Sequence, residues 1–171
     1  MEHVPTPSQT IGPFFHLALT TSDTLAHLAG PNVKGERIRL AFRVVDGDGT
    51  PVDDAMIEIW HADATGSYDP GIFGRLPTKD DGACVFETVK PGRIDGAHAP
   101  HVNVALFARG LLKQLVTRVY FAGDPMNQAD PVLTLVPLDR RDTLLARSQE
   151  RGKWEFEIRL SQNSETVFFD V

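Results

Sequence analysis

Residues 101–121, HVNVALFARGLLKQLVTRVYF, carry two runs of alternating polarity, and a period of two decides for β structure. From His101 to Ala108, Val102, Val104 and Leu106 alternate with Asn103, Ala105 and Phe107. Gln114–Phe121 is the second run, stopped by Gly123-Asp124-Pro125. Working outward, Ile38–Val45 alternates and meets the turn residues Asp46-Gly47-Asp48-Gly49. Met56–Trp60 reads as another strand. Asp80-Asp81-Gly82 turns the chain into Ala83–Val89, which ends at Pro91-Gly92. Trp154–Leu160 alternates apolar and charged residues, and Thr166–Asp170 reads as a short closing strand. About seven strands at this spacing predict an all-β chain folded as a β-sandwich.

The 26 glycines and prolines fall between these runs as punctuation. Helix is confined to a turn at Met126–Asp130 and a short segment at Leu138–Arg147. Residues 1–35 hold no clear strand. They are rich in proline but carry Ile11, Phe14, Phe15, Leu17 and Leu19, so they predict an irregular apolar arm that packs on its own sheet or on a partner. With 171 residues, one domain spanning 1–171 is expected.

Composition removes several classes of function. A net charge of -6 argues against general binding of a phosphate backbone. A single cysteine, Cys84, excludes an intrachain disulfide framework and any metal site built from cysteines. The sequence has no basic leader and no long apolar run, which points to the cytoplasm. Cys84 lies inside a strand, where a small core residue is the simple reading and a nucleophile the sharper one. Neither a nucleophile elbow nor a glycine-rich phosphate cradle occurs.

The remaining candidates are histidines and tyrosines. His98 and His101 are three apart, and Asn103 stands where a second imidazole on the face of His101 would make a stronger ligand pair. Tyr68 follows the strand that ends at Trp60. It reads either as a loop aromatic or as a phenolate ligand, which only a strongly Lewis-acidic ion would hold ionised at neutral pH. Tyr120, the other tyrosine, reads as a core or edge residue.

Taken together, Thr6-Pro7-Ser8-Gln9-Thr10-Ile11-Gly12-Pro13-Phe14, Gly47–Asp54, Ile57–Tyr68, Phe73-Gly74-Arg75, Thr88–Gly92, Ala99–Gly110, Thr117–Phe121 and Glu165–Val171 resemble the intradiol ring-cleavage dioxygenases over nearly the whole chain. Catalytic (beta) subunits of that family hold ferric iron, Fe(3+), with two tyrosines and two histidines. By residue match, Tyr68 and His101 keep two of those positions, while Ile94 and Asn103 replace a phenolate and an imidazole. Arg118 stands where the catalytic chain has glutamine. The resemblance therefore implies an iron-free (alpha) partner with no catalytic residue, paired with an iron-bearing beta subunit in a higher oligomer. The assembly would act on an aromatic dihydroxy acid and dioxygen.

The same resemblance implies that Thr10, Gly12, Pro13 and Arg109 approach the substrate in the partner's site. Arg109 can pair with the substrate carboxylate, steer it at the mouth, or serve an interface ion pair. A permanent cation at Arg118 beside the vestigial pocket disfavours a ferric ion. Two alternatives stand beside this: a free-standing intradiol dioxygenase with altered ligands, and a transthyretin-like binding module.

Overall fold

The computed structural model describes residues 7–12, 15–162 and 164–171. Eight strands carry the fold: β1 (Arg37–Val45), β2 (Ala55–His61), β3 (Ile72–Pro77), β4 (Ala83–Val89), β5 (His101–Ala108), β6 (Leu115–Phe121), β7 (Leu145–Glu150) and β8 (Lys153–Arg159). Their hydrogen-bonded order is β3-β2-β5-β6-β7-β8-β1-β4. The expectation of an all-β chain holds. Instead of two separate sheets, one sheet runs through β7, which bridges the halves by a two-residue parallel pairing with β6, Tyr120 with Leu145 and Phe121 with Ala146.

Alternation explains why these segments pair. In β1, Ile38, Leu40, Phe42 and Val44 are buried, while Arg37, Arg39 and Arg43 face out. In β5, Val102, Val104, Leu106 and Ala108 are buried, leaving His101, Asn103, Ala105 and Phe107 on the other face. The inward residues of both halves meet in one cluster that includes Phe42, Phe86, Ile59, Val104 and Ile158. Phe42 packs edge-on against Phe86 and Phe156, with ring centroids 5.8 and 5.9 Å away. Cys84 belongs to this core, and burial pushes its thiol up to about 12, which removes the nucleophile reading.

Three local expectations need correction. The segment Leu138–Arg147 is not one helix: a 3₁₀ helix spans Leu138–Leu144 and the chain then extends as β7. Thr166–Asp170 is not a strand and makes only an isolated bridge, Phe169 to Val116. The strand β3 was not expected, because Gly74 and Pro77 read as punctuation. Gly74 is there for space, since a Cβ at this position would lie 2.7 Å from Leu28 Cδ1 and 2.9 Å from the Phe86 ring.

In the arm, the one-turn helix α1 (Phe15–Ala18) buries Phe15, and a 3₁₀ helix spans Asp23–Ala26. Leu28 and Ala29 then donate their backbone N–H groups to Glu87 O on β4. Leu17 and Leu19 stay exposed. Among the described residues, no helix is long and apolar enough to cross a membrane.

Candidate functional site

Two turns bring the first candidate cluster together. In the loop after β2, Asp63 Oδ1 accepts from Thr65 N, Thr65 Oγ1 and Ser67 N at 2.7–3.0 Å, which closes a tight turn and presents Tyr68. This loop lies directly on the turn after β4, because Gly92 donates its N–H to Asp63 O at 2.9 Å. Contact is so close that a Cβ at Gly66 (φ +89°) would sit 1.8 Å from Arg93 O, which makes glycine obligatory there. Ile94 follows on that second turn, half-buried and bridged to His98.

Sheet register supplies the other members. Trp60, Asn103 and Arg118 form one row across β2, β5 and β6, and His101 pairs with Tyr120 in the next. Arg118 Nε donates to Asn103 Oδ1 at 3.1 Å. Asn103 Nδ2 in turn donates to the Tyr68 hydroxyl at 2.9 Å and to Trp60 O at 3.2 Å. The guanidinium, the amide and the phenol thus form one hydrogen-bonded chain. Burial raises the Tyr68 phenol above its ordinary range, opposed by Asn103 and the Arg118 charge, so it is a neutral hydroxyl at neutral pH. Its ring stacks on Trp60 at 6.3 Å.

His101 is buried and donates Nδ1–H to Ala99 O at 2.8 Å. Burial pushes its imidazole down to about 4, so the ring is neutral. Behind it, Tyr120 donates its hydroxyl to Asp130 Oδ1 at 3.0 Å, and burial holds that phenol well above its ordinary value. Asp130 was not singled out in the sequence. It is wholly buried and also accepts from the N–H groups of Ala99, Val132 and Leu133. Burial alone would raise its pKa, but these donors together hold the carboxyl below the ordinary range. An aspartate that opens a helical turn, followed by Pro131, was the available signal.

Tyr68→Phe is expected to cost about 1 kcal/mol, because it removes one acceptor from Asn103 and leaves the Arg118–Asn103 bond and the Trp60 stack in place. Urea unfolding checks this, and a loss above about 3 kcal/mol would show that the hydroxyl holds more than Asn103.

A second group gathers at the opposite end of β5. Arg109 lies just past that strand, eight residues from His101, or roughly 26 Å along an extended chain. Thr10 meets it there, since the Gly110 N–H donates to Thr10 Oγ1 at 2.8 Å. Arg109 is exposed and donates Nε–H to Asp54, a residue the sequence did not single out. Next to it, a groove of about 420 Å³ is lined by Ser8, Gln9, Ile11, Phe107, Leu111 and Leu112. Gly12 is exposed with open space around its Cα, and Pro13 lies outside the described residues. The structure therefore brings Thr10 and Arg109 together and keeps them far from the Tyr68–His101 cluster.

A family model described as Dioxygenase matches residues 11–170. The protocatechuate 3,4-dioxygenase alpha chain of Burkholderia cepacia is 40% identical, covering 97% of this chain and 97% of its own length. The alpha chain of Pseudomonas putida is also 40% identical, with 96% of each covered. A protocatechuate 3,4-dioxygenase beta chain from Burkholderia cepacia is 34% identical over 72% of this chain and 64% of its own. Among solved structures, the dioxygenase domain of a dioxygenase and carbohydrate-binding protein fusion from Streptomyces sp. SirexAA-E superposes with a TM-score of 0.68. It is 26% identical and covers 96% of this chain.

Proposed function

The chain belongs to the intradiol ring-cleavage dioxygenases, and from that membership we propose that it serves as the alpha-type, iron-free subunit of a protocatechuate 3,4-dioxygenase. The assembled enzyme cleaves 3,4-dihydroxybenzoate with dioxygen between its two hydroxylated carbons, giving 3-carboxy-cis,cis-muconate. The observation that carries this reading is the extent of similarity. It runs from end to end against alpha chains at 40% identity and over 72% of this chain against a beta chain.

Side-chain chemistry supports an iron-free role. Of the four ligand positions implied by the resemblance, Ile94 offers no donor atom and Asn103 offers a weak amide. The Tyr68 hydroxyl is occupied by Asn103, and Asn103 by Arg118. A fixed cation at contact distance opposes a metal ion by about 4 kcal/mol for each unit of its charge, even at an effective dielectric of ~20. These residues therefore do not fit a ferric site, and the guanidinium instead holds the Asn103 amide that engages the Tyr68 hydroxyl. In this reading iron belongs to the beta subunit, where it supplies the oxidative chemistry.

The contribution of this chain then comes from the far end of β5. Residues 1–35 form the arm that meets the partner, and Thr10, Gly12, Pro13 and Arg109 wall the partner's substrate pocket. Leu17 and Leu19 in the arm and Leu112 just after Arg109 are exposed, which suits surfaces that are covered on assembly. Arg109 suits the ring carboxylate, the one permanent charge on the substrate. Positioning and exclusion of water are the gains such a wall supplies. The β-sandwich architecture, with two packed halves around one core, is the arrangement this reading assigns to the fold.

Co-expression with a beta-type chain tests the proposal. The complex is expected to contain ferric iron, consume dioxygen and release the muconate product, while this chain purified alone is inactive and takes up no stoichiometric iron. A ferric ion with a phenolate absorption band in the single chain overturns it.

A further inference from the structure

The sheet register holds an unassigned carboxylate against Arg109. Antiparallel pairing of β2 and β5 sets Ala55 opposite Ala108. Residues 54 and 109 therefore face each other one step beyond the strand ends, where directly opposed side chains lie close enough to interact. Asp54 is largely buried, with 22% of its side chain exposed, whereas Arg109 is 61% exposed. The carboxylate accepts from Arg109 Nε, and the bond and charge of Asp54 raise the guanidinium pKa further. On the other side, the Gly110 N–H is tied to Thr10 Oγ1. Arg109 thus sits on a backbone fixed by the arm and a side chain fixed by Asp54.

We propose that Asp54 is the positioning residue that aims Arg109 at the carboxylate of the substrate. This rests on the reading that Arg109 walls the partner's pocket. Guanidinium has five N–H donors in one plane. Asp54 engages Nε, so the two terminal nitrogens keep four donors in a forked edge that can take a second carboxylate with two parallel bonds. A long exposed side chain otherwise loses rotamer freedom on binding, and Asp54 removes part of that loss before substrate arrives. Asp54 acts through Arg109 and touches no reacting atom. Its effect is therefore confined to ligands that carry the carboxylate.

Steady-state kinetics and competitive inhibition on the assembled complex test this, with 4-hydroxybenzoate as the charged inhibitor and 4-hydroxybenzamide as the neutral one. In Asp54→Ala, KM for 3,4-dihydroxybenzoate and Ki for 4-hydroxybenzoate are expected to rise about 10-fold. The amide Ki and kcat should stay within about 2-fold and the iron content should be unchanged. Asp54→Asn keeps an oxygen acceptor without the charge, so a smaller rise of about 3-fold is expected. In the Arg109→Ala background, Asp54→Ala should add nothing. If both inhibitors weaken equally, Asp54 is merely structural and the inference fails. It also fails, with the Arg109 reading intact, if Arg109→Ala weakens only the charged inhibitor while Asp54→Ala and Asp54→Asn change nothing. If Arg109→Ala leaves both inhibitors unchanged, the reading of Arg109 fails first and the role of Asp54 falls with it.

Discussion

Asp130→Ala is expected to lower the unfolding free energy by about 4 kcal/mol, against about 1 kcal/mol for Tyr120→Phe. The asymmetry follows from what each change leaves behind. Tyr120→Phe removes one donor from a carboxylate that keeps three backbone N–H partners. Asp130→Ala strands the Ala99 and Leu133 N–H groups and the Tyr120 hydroxyl in buried surroundings, leaves the half-buried Val132 N–H without its acceptor, and opens a void beside Tyr120 and Leu133. Ala99 leads into β5, Tyr120 is near the end of β6, and Val132 and Leu133 belong to the next loop. One carboxylate therefore ties three segments. Urea unfolding of the two variants decides: a loss for Asp130→Ala no larger than that for Tyr120→Phe would show that water or neighbouring groups replace the carboxylate.

This dependence explains where sequence reasoning succeeded and where it stopped. Alternation in Ile38–Val45 and His101–Ala108 is strong enough to assign both strands, and the structure buries one face of each, which is what that pattern encodes. It failed at β3 and β7. Gly74 and Pro77 carry the local signature of a loop, and only the packing of Leu28 and Phe86 shows why a strand tolerates the glycine. In Leu138–Arg147 the apolar spacing suits a helix, yet pairing with β6 and β8 draws the last residues into a strand. Tertiary pairing outweighed local preference in both places.

Candidate residues show the same division. Tyr68 and His101 could be named because they keep positions of a known ligand pattern, and Asn103 and Arg118 because they depart from it. Their partnership depended on the β2-β5-β6 register, which fixes the row Trp60, Asn103, Arg118. Asp130 and Asp54 were missed for a different reason. Each sits in a turn, where aspartate is common for local hydrogen bonding, and nothing local distinguishes one that reaches a distant segment.

Acid is expected to weaken the fold by about 3 kcal/mol between neutral pH and about pH 4, with most of the loss above the range in which ordinary carboxylates protonate. His101 has a folded pKa of about 4, against an ordinary value of 6.5, chiefly because it is buried. Arg118 and His98 push in the same direction, while the Ala99 carbonyl and Asp130 oppose them. Between these two values the unfolded chain binds a proton that the folded chain refuses, so stability rises with pH across the window and is fully present above about 6.5. His61 adds to the slope in the same sense. It is wholly buried, donates Nδ1–H to Ala62 O and accepts from Thr88 Oγ1, and burial depresses its pKa too. Asp130 cannot produce the effect, because its carboxyl lies below the ordinary 3.8 and titrates under the window. Urea unfolding at pH 7 and pH 4.5 measures the difference, and His101→Gln should remove most of it. Arg118→Met should leave the slope largely intact, since burial outranks the guanidinium charge as its cause. An unfolding free energy independent of pH across this range would mean that His101 takes up its proton inside the folded chain, with Asp130 or solvent compensating the buried charge.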